Sequence, residues 1–426
     1  MLSLKIFIKP KAVIYLCIFS LFFFRNGYAQ KSGDFYFDRR GISQNVLENY
    51  LDRAVTMVYF LMPEKPEGKR LYPFHQDDVR LIQNIHPKFI GRSIYRWGGE
   101  ALLNKDSFWD TAQKWVDTIH KFDREIIFQG CLFEIVTKEV DQVQIPNWVF
   151  KDFGIPVEER TFIYAKMLNK SGMYVDHWRK GSSVPDISRK ETQMWFYYLA
   201  ASYIKIGCEA LHLGQVELIG MNDHDLEYWK FLIDKIRLFA TRNARRNWVL
   251  LDAHVPNHGM IKNGESLIDF NSFPLRIKET PENFLEGKLE VGYLDALYTK
   301  SKGCYSPSGW KCEHLPYLVE FDNYGRGKTP NQADLTTHFV WGWDEISWFS
   351  LQKEPYRNKW LSYAYHWIKD TDSYGHLQMP INRMISCPNN SQGSYRANTK
   401  SGNCPIGYNQ EETIKALWFN NNKQKK

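Results

Sequence analysis

The chain has 426 residues, 43% of them hydrophobic; removing a leader leaves roughly 400, about right for one large domain with a single core. The formal charge of +7 falls to +3 without the leader residues Lys5, Lys9, Lys11 and Arg25, a surplus too weak for a nucleic-acid binder. The one short basic cluster, Arg242, Arg245 and Arg246, ends a predicted helix, where the helix dipole already favours cations.

From the N-terminus, residues 1–29 read as a signal peptide, with residues 30–426 as one domain. Three lysines precede an uncharged apolar run, Ala12 to Phe24, too short to span a bilayer comfortably. Gly27-Tyr28-Ala29 offers small residues for cleavage ahead of Gln30. The alternative is an uncleaved anchor. No later stretch is apolar enough to cross a membrane, so the expected location is periplasmic or extracellular, without stable membrane insertion.

Eight apolar, β-rich runs follow: Ala54–Leu61, Phe89–Trp97, Glu125–Ile135, Ala210–Ile219, Trp248–His254, Leu267–Phe273, Tyr317–Phe321 and Phe339–Trp343. Several are apolar at consecutive positions, as strands covered on both faces must be. Helices are predicted at Gln76–His86, Asp106–Phe122, Arg189–Ile206, Asp225–Arg242 (capped by Asp223 or Asp225) and Asn358–Lys369, the last after strand eight. Alternation of this kind implies parallel pairing, and eight units imply a closed (β/α)8 TIM barrel of the α/β class. An open doubly wound sheet is the alternative, but neither GxGxxG nor GxxxxGK[ST] is present. Strand six could instead be Val291–Tyr298, and helix five has little room. The Thr137–Ser188 segment is expected to be an irregular loop shaping the C-terminal face.

Apart from Cys17 in the leader, six of the seven cysteines remain. Cys304 with Cys312, and Cys387 with Cys404, bracket short polar loops and read as local disulfides, the second stapling a C-terminal extension. Cys131 and Cys208 fall inside strands as small core residues.

Barrel chemistry gathers where strands end. Those ends supply Arg96, Glu134, Gln215, Glu217, Asp252, His254, Glu320, Asp322, Trp343 and Asp344. Period-two alternation pairs Gln215 with Glu217, Asp252 with His254, and Glu320 with Asp322, each on one face. A carboxylate inside an apolar strand is costly unless it faces a polar cavity, so several at one end mark one site.

Glutamates at the ends of strands four and seven give the chain a resemblance to the large clan of retaining (β/α)8 glycoside hydrolases. It also resembles, along most of its length, exported barrels of Bacteroidetes type. The clan resemblance implies a glycosidase with Glu217 as general acid/base and Glu320 as nucleophile, acting on a carbohydrate without cofactor or metal. The other residues at the strand ends would then bind substrate, with exposed Trp rings stacking on sugar faces. The chain departs from the clan in having Val216, not Asn, ahead of Glu217; Gln215 is placed to replace that Asn in bonding a sugar hydroxyl. Glu134 with Glu217 is an alternative pair, and a carbohydrate-binding barrel without catalysis an alternative function. A metal-dependent barrel hydrolase would need His-x-His at the first strand end, where Phe60-Leu61-Met62 stands. No GxSxG supports a serine nucleophile.

Overall fold

The computed structural model describes residues 34–38, 41–62, 74–255, 259–280, 282–292, 297, 300–323, 344–385 and 393–424. The leader, Trp343 and Cys387 lie outside them. Eight parallel strands close into a barrel: β1 (Ala54–Met57), β2 (Phe89–Ile94), β3 (Ile127–Cys131), β4 (Ala210–Gln215), β5 (Leu250–His254), β6 (Phe270–Pro274), β7 (Tyr317–Glu320) and β8 (Gly375–Met384). Each pairs with the next in sequence, and β8 pairs with both β7 and β1, so no edge is left among them.

Strands one to five and seven are shorter than their apolar runs, and strand six is the first of the two candidates, shifted to Phe270–Pro274. The eighth stave is a correction. Phe339–Trp343 lies outside the described residues, and the closing strand is Gly375–Met384. The helix expected after strand eight therefore precedes it, between β7 and β8. Its run His376-Leu377-Gln378-Met379-Pro380 carries polar residues and a proline, which hid it from a search for continuous apolar strands.

The wall is covered by α1 (Gln44–Leu51), α2 (His75–Ile85), α3 (Asp106–His120), α4 (Lys190–Lys205), α5 (Glu227–Asn243), α6 (Glu345–Leu351), α7 (Glu354–Thr371) and α8 (Glu411–Gln424). The Asp223 carboxylate caps α5, accepting from Tyr228 N at 3.1 Å and Trp229 N at 2.8 Å. Among the described residues no helix follows β5 or β6. A small sheet stands there, in which Cys304–Tyr305 pairs on one side with Lys311–Cys312 and on the other with Glu265–Ser266 of a hairpin with Ile261–Lys262. Cys304 and Cys312 face each other directly as thiols with sulfurs 3.9 Å apart. Beyond β8, β9 (Ser394–Arg396) runs antiparallel to it, and α8 packs against α2 and α7. The buried Arg396 meets Asp78 of α2 at 2.6 Å.

The interior is layered. Ala54, Phe89, Ile127, Ala210, Leu250, Phe270 and Leu318, one from each of β1 to β7, form an apolar floor sealed from below by α1. Phe89 and Phe270 meet edge to face across the barrel at 5.8 Å. Two residues further along each strand, on the same face, the layer turns polar. Thr56, Gly91, Gln129 and His212 come from β1–β4, and Asp252, Ser272, Glu320 and Gln378 from β5–β8, with every side chain in the layer buried. Gly91 is the position where two amides meet: a Cβ there would lie 2.0 Å from Gln378 Nε2 and 3.2 Å from Gln129 Oε1. Gly91→Ala should therefore destabilise by about 1–3 kcal/mol through overpacking. Urea titration, with Gly402→Ala as an open-space control, checks this; equal midpoints would refute the packing of this layer.

Candidate functional site

At the C-terminal end of the barrel the polar layer converges on Glu320, 1% exposed at the end of β7. Arg92 grips it with two nitrogens: Nε donates to Oε2 at 2.7 Å and Nη2 contacts Oε1. His254 Nε2 stands 3.4 Å from Oε1 and Arg383 Nη2 3.4 Å from Oε2. Burial alone would raise this carboxyl; Arg92 and Arg383, with the hydrogen bond from His254, hold it well below the usual carboxylate range. Glu320 is therefore ionised at neutral pH.

Local backbone geometry aims Arg92. Strand alternation puts Gly91 inward and would turn Arg92 outward. Instead Arg92 adopts a left-handed φ of 56°, the β2–β3 register slips between Ile90 and Ile94, and its amide donates to Gln129 Oε1 at 3.0 Å. A left-handed arginine is strained, and the paired hydrogen bonds to Glu320 offset that strain.

Beside this pair lies a second network. Asp252 accepts from Gln129 Nε2 at 2.6 Å, His212 Nδ1 at 2.7 Å and Ser272 Oγ at 2.6 Å. The His254 ring stands edge-on to His212 with centroids 4.8 Å apart. Further out, Arg383 also reaches Asp322 Oδ1 at 2.9 Å, and Arg276 Nη1 reaches Glu345 Oε1 at 3.0 Å. Burial, against the pull of Arg276 and reinforced by Asp322 and Asp344, pushes Glu345 up to about 7. Its Oε2 is buried without a hydrogen-bond partner among the described residues.

The remaining expected site residues divide. Glu134, buried beyond β3, accepts from Gln215 N at 2.9 Å and Gln215 Nε2 at 3.2 Å. Gly214 makes room for it, since a Cβ there would lie 2.4 Å from Glu134 Oε2. Glu217 is exposed on Val216–Ile219, a helical turn directly after β4. This corrects the expected alternation: β4 ends at Gln215, so Gln215 and Glu217 do not share a strand face. Asp252 and His254 do belong together, as do Glu320 and Asp322, which both meet Arg383. Asp252, expected as a substrate contact, accepts from protein donors on both of its oxygens. Arg96 holds the carbonyls of Gly98 and Gly99 at 3.0 and 3.1 Å rather than a barrel carboxylate. Asp344, expected as a substrate contact, caps α6, accepting from Ser347 N at 2.7 Å. Trp343 lies outside the described residues. Arg92, Arg383, His212, Gln129 and Ser272 escaped the sequence reading; the available signal was a polar residue inside each of several apolar runs.

An aromatic shelf borders the mouth. Trp97, 45% exposed, stands 5.6 Å from Phe133 and 6.3 Å from Trp178, whose Nε1 donates to Glu134 O at 3.0 Å. Among the described residues no group of three or more His, Cys, Asp or Glu is placed to hold a metal ion, and no helix is long and apolar enough to cross a membrane.

Fold and site together define a closed (β/α)8 barrel with a charged, aromatic-rimmed C-terminal mouth. No family model matches the chain, and no curated protein matches it. Among solved structures it is similar to an α-galactosidase from Thermus thermophilus, with 14% identity over 54% of this chain and 45% of that one, and a TM-score of 0.32. It is also similar to a GH2 β-galacturonidase from Eisenbergiella tayi, with 11% identity over 86% of this chain and 50% of that one, and a TM-score of 0.38. A β-glucuronidase from Bacteroides uniformis gives 11% identity over 86% and 35%, with a TM-score of 0.35. The chain spans about half the length of the first structures it matches, 45% and 49%. At these scores nothing about the chemistry of this chain follows from the likeness.

Glu345 yields a pH test. A carboxyl raised from 4.5 to about 7 on folding supports the fold fully below pH 4.5, and that support is lost as pH rises towards 7. The melting temperature of the wild type should fall across this window relative to Glu345→Gln by a few degrees. Parallel curves for the two proteins would show that Glu345 does not titrate there.

Proposed function

We propose that this chain is a glycoside hydrolase acting on a carbohydrate at the barrel mouth. The observation that carries the reading is Glu320: a buried carboxylate paired with Arg92 at a strand end, with Arg92 over the Phe133 ring that Trp97 borders. A glycosidase needs one such anion and one proton donor. In this reading Glu320 is the nucleophile, or the base if the enzyme inverts. Glu217, on the solvent-exposed turn after β4, is the general acid/base. Arg92, Arg383 and His254 set the state of Glu320, and the Trp97–Trp178 shelf takes the face of a sugar ring. A retaining outcome is the one proposed.

Hydrolysis of a panel of p-nitrophenyl glycosides and plant, algal and host glycans tests this. Glu320→Gln should fall to background. Glu217→Gln should lose about 10²–10⁴-fold, least on activated aryl leaving groups that need no protonation. Azide should rescue Glu217→Gln as a glycosyl azide, and NMR of the first-formed anomer should report retention. Full activity in Glu320→Gln would end the assignment.

A second reading has its own observation. Both oxygens of Glu320 are already engaged by arginines, as suits a barrel that binds glycans without cutting them. Calorimetry with the same glycans separates the two: binding without turnover in the wild type selects the second.

We further propose that the chain is exported and cleaved before Gln30, and that Cys304 and Cys312 join outside the cytoplasm. Exchange with a small-molecule or enzyme disulfide would form the S–S bond and pass two electrons and the two thiol protons to the donor, whose own S–S bond breaks to give two thiols. Protein from the oxidising compartment should start at Gln30 and leave both cysteines unalkylated until reduced. Alkylation without reduction would refute the bridge.

A further inference from the structure

His212 belongs to the polar layer, yet the catalytic reading gives it no task. Its Nδ1 meets Asp252 Oδ2, an anchor that also accepts from Gln129 Nε2 and Ser272 Oγ. A carboxylate surrounded by donors meets Nδ1 as an acceptor, so Nδ1 carries the ring proton and Nε2 a bare lone pair. Burial, outweighing Asp252, pushes His212 below the ordinary histidine value, so the ring is neutral near pH 7. The side chain is 2% exposed, and Nε2 has no hydrogen-bond partner among the described residues.

The surroundings define what can fill that role. The ring stands 5.4 Å from Phe133 and 4.8 Å from His254, centroid to centroid, and feels the charge of Arg92. Phe133 offers no proton. His254 Nε2 lies between Glu320 and Arg92, 3.4 Å from each. A cation would meet the repulsion of Arg92. A carboxylate or phosphate would present lone pairs to a lone pair. What remains is a neutral donor, on a sugar a hydroxyl, approaching beside His254, whose side chain is 18% exposed.

We propose that His212 Nε2 is a recognition atom for a hydroxyl group of the bound sugar, oriented by Asp252 and lying beside the Glu320 cluster. This rests on the reading that the mouth holds a carbohydrate, but not on its being cut. The arrangement selects a sugar that bears a hydroxyl at the contacted carbon and rejects its deoxy counterpart, because a buried acceptor would then lose its donor. Asp252 acts through His212 as a positioning residue.

The test uses the mature full-length chain with ring-¹⁵N-labelled histidine and the glycans of the panel above. In the wild type one pyridine-type nitrogen resonance, assigned by its absence in His212→Gln, should shift when sugar is added. Monodeoxy analogues, taken position by position, should bind as well as the parent except for one, weakened about tenfold. That discrimination should vanish in His212→Gln, while the parent's own affinity falls to the level of the deoxy analogue. A water molecule as the sole donor would leave the resonance unmoved by sugar and the deoxy series flat, which overturns the proposal. Sugar binding with the shift but without hydrolysis sustains it and refutes the hydrolase; hydrolysis with an unmoved resonance does the reverse. Should His212→Gln fail to fold, the deoxy series on the wild type still decides.

Discussion

A carboxylate fixed in the middle of a closed barrel is the constraint on which the rest of this structure turns. Glu320 is out of water, and an unpaired charge there would cost several kcal/mol or more. The chain answers with Arg92 in a strained conformation and with Arg383 from the closing strand. Arg383 then needs acceptors of its own, which Asp322 and the Phe321 carbonyl supply. A whole layer follows: Gln129 receives the Arg92 amide and passes its own amide protons to Asp252, which holds His212 and Ser272. Satisfying one buried charge thus specifies a polar residue on strand after strand.

Such a layer stands only on a dry base. The floor beneath it is apolar on seven strands, and α1 with Phe35, Phe37 and Ile42 closes it from below. The hairpin between Cys304 and Cys312 presses on the same end, where Trp310 Nε1 donates to the Ile42 carbonyl at 3.0 Å. The far side of the wall is tied by charges of another kind. Arg80 and Arg396 join α2 to the C-terminal extension through Glu411 and Asp78. With the bottom apolar and the outer helices tied by charge pairs, the upper end can carry groups an apolar core would not choose.

Much of this was legible in the chain. Continuous apolar runs located seven of the eight staves, because a strand covered on both faces must be apolar throughout. Glu320 stood out for the same reason, a charge among Leu318, Val319 and Phe321. The eighth stave was hidden because its inner face belongs to the polar layer, with His376, Gln378 and Asn382 in place of aliphatic residues. Arg92 was hidden because strict alternation points it outward, and only a register slip turns it in. Glu217 was misplaced for the converse reason: alternation was extended past Gln215, where the chain had already begun a helical turn. Periodicity reads regular structure well and fails where a strand breaks, which is where strand ends become a site.

In the proposed reaction, the unequal burial of Glu320 and Glu217 has a physical logic. The two carboxyl groups of a glycosidase have opposite needs. One must be an anion at the start of every turnover, which is best ensured by dry, fixed cations whose influence no solvent screens. Arg92 and Arg383 meet that need for Glu320. The other must lose a proton and regain it, and a group sealed away from water could do so only through a relay. An exposed turn just past a strand end gives Glu217 that exchange without giving up its place at the mouth. Glu345, poised near neutrality yet buried behind Arg276, has the proton but not the access. Titration alone would have favoured Glu345 as the acid; exposure favours Glu217, and proton exchange with solvent is the requirement that decides between them.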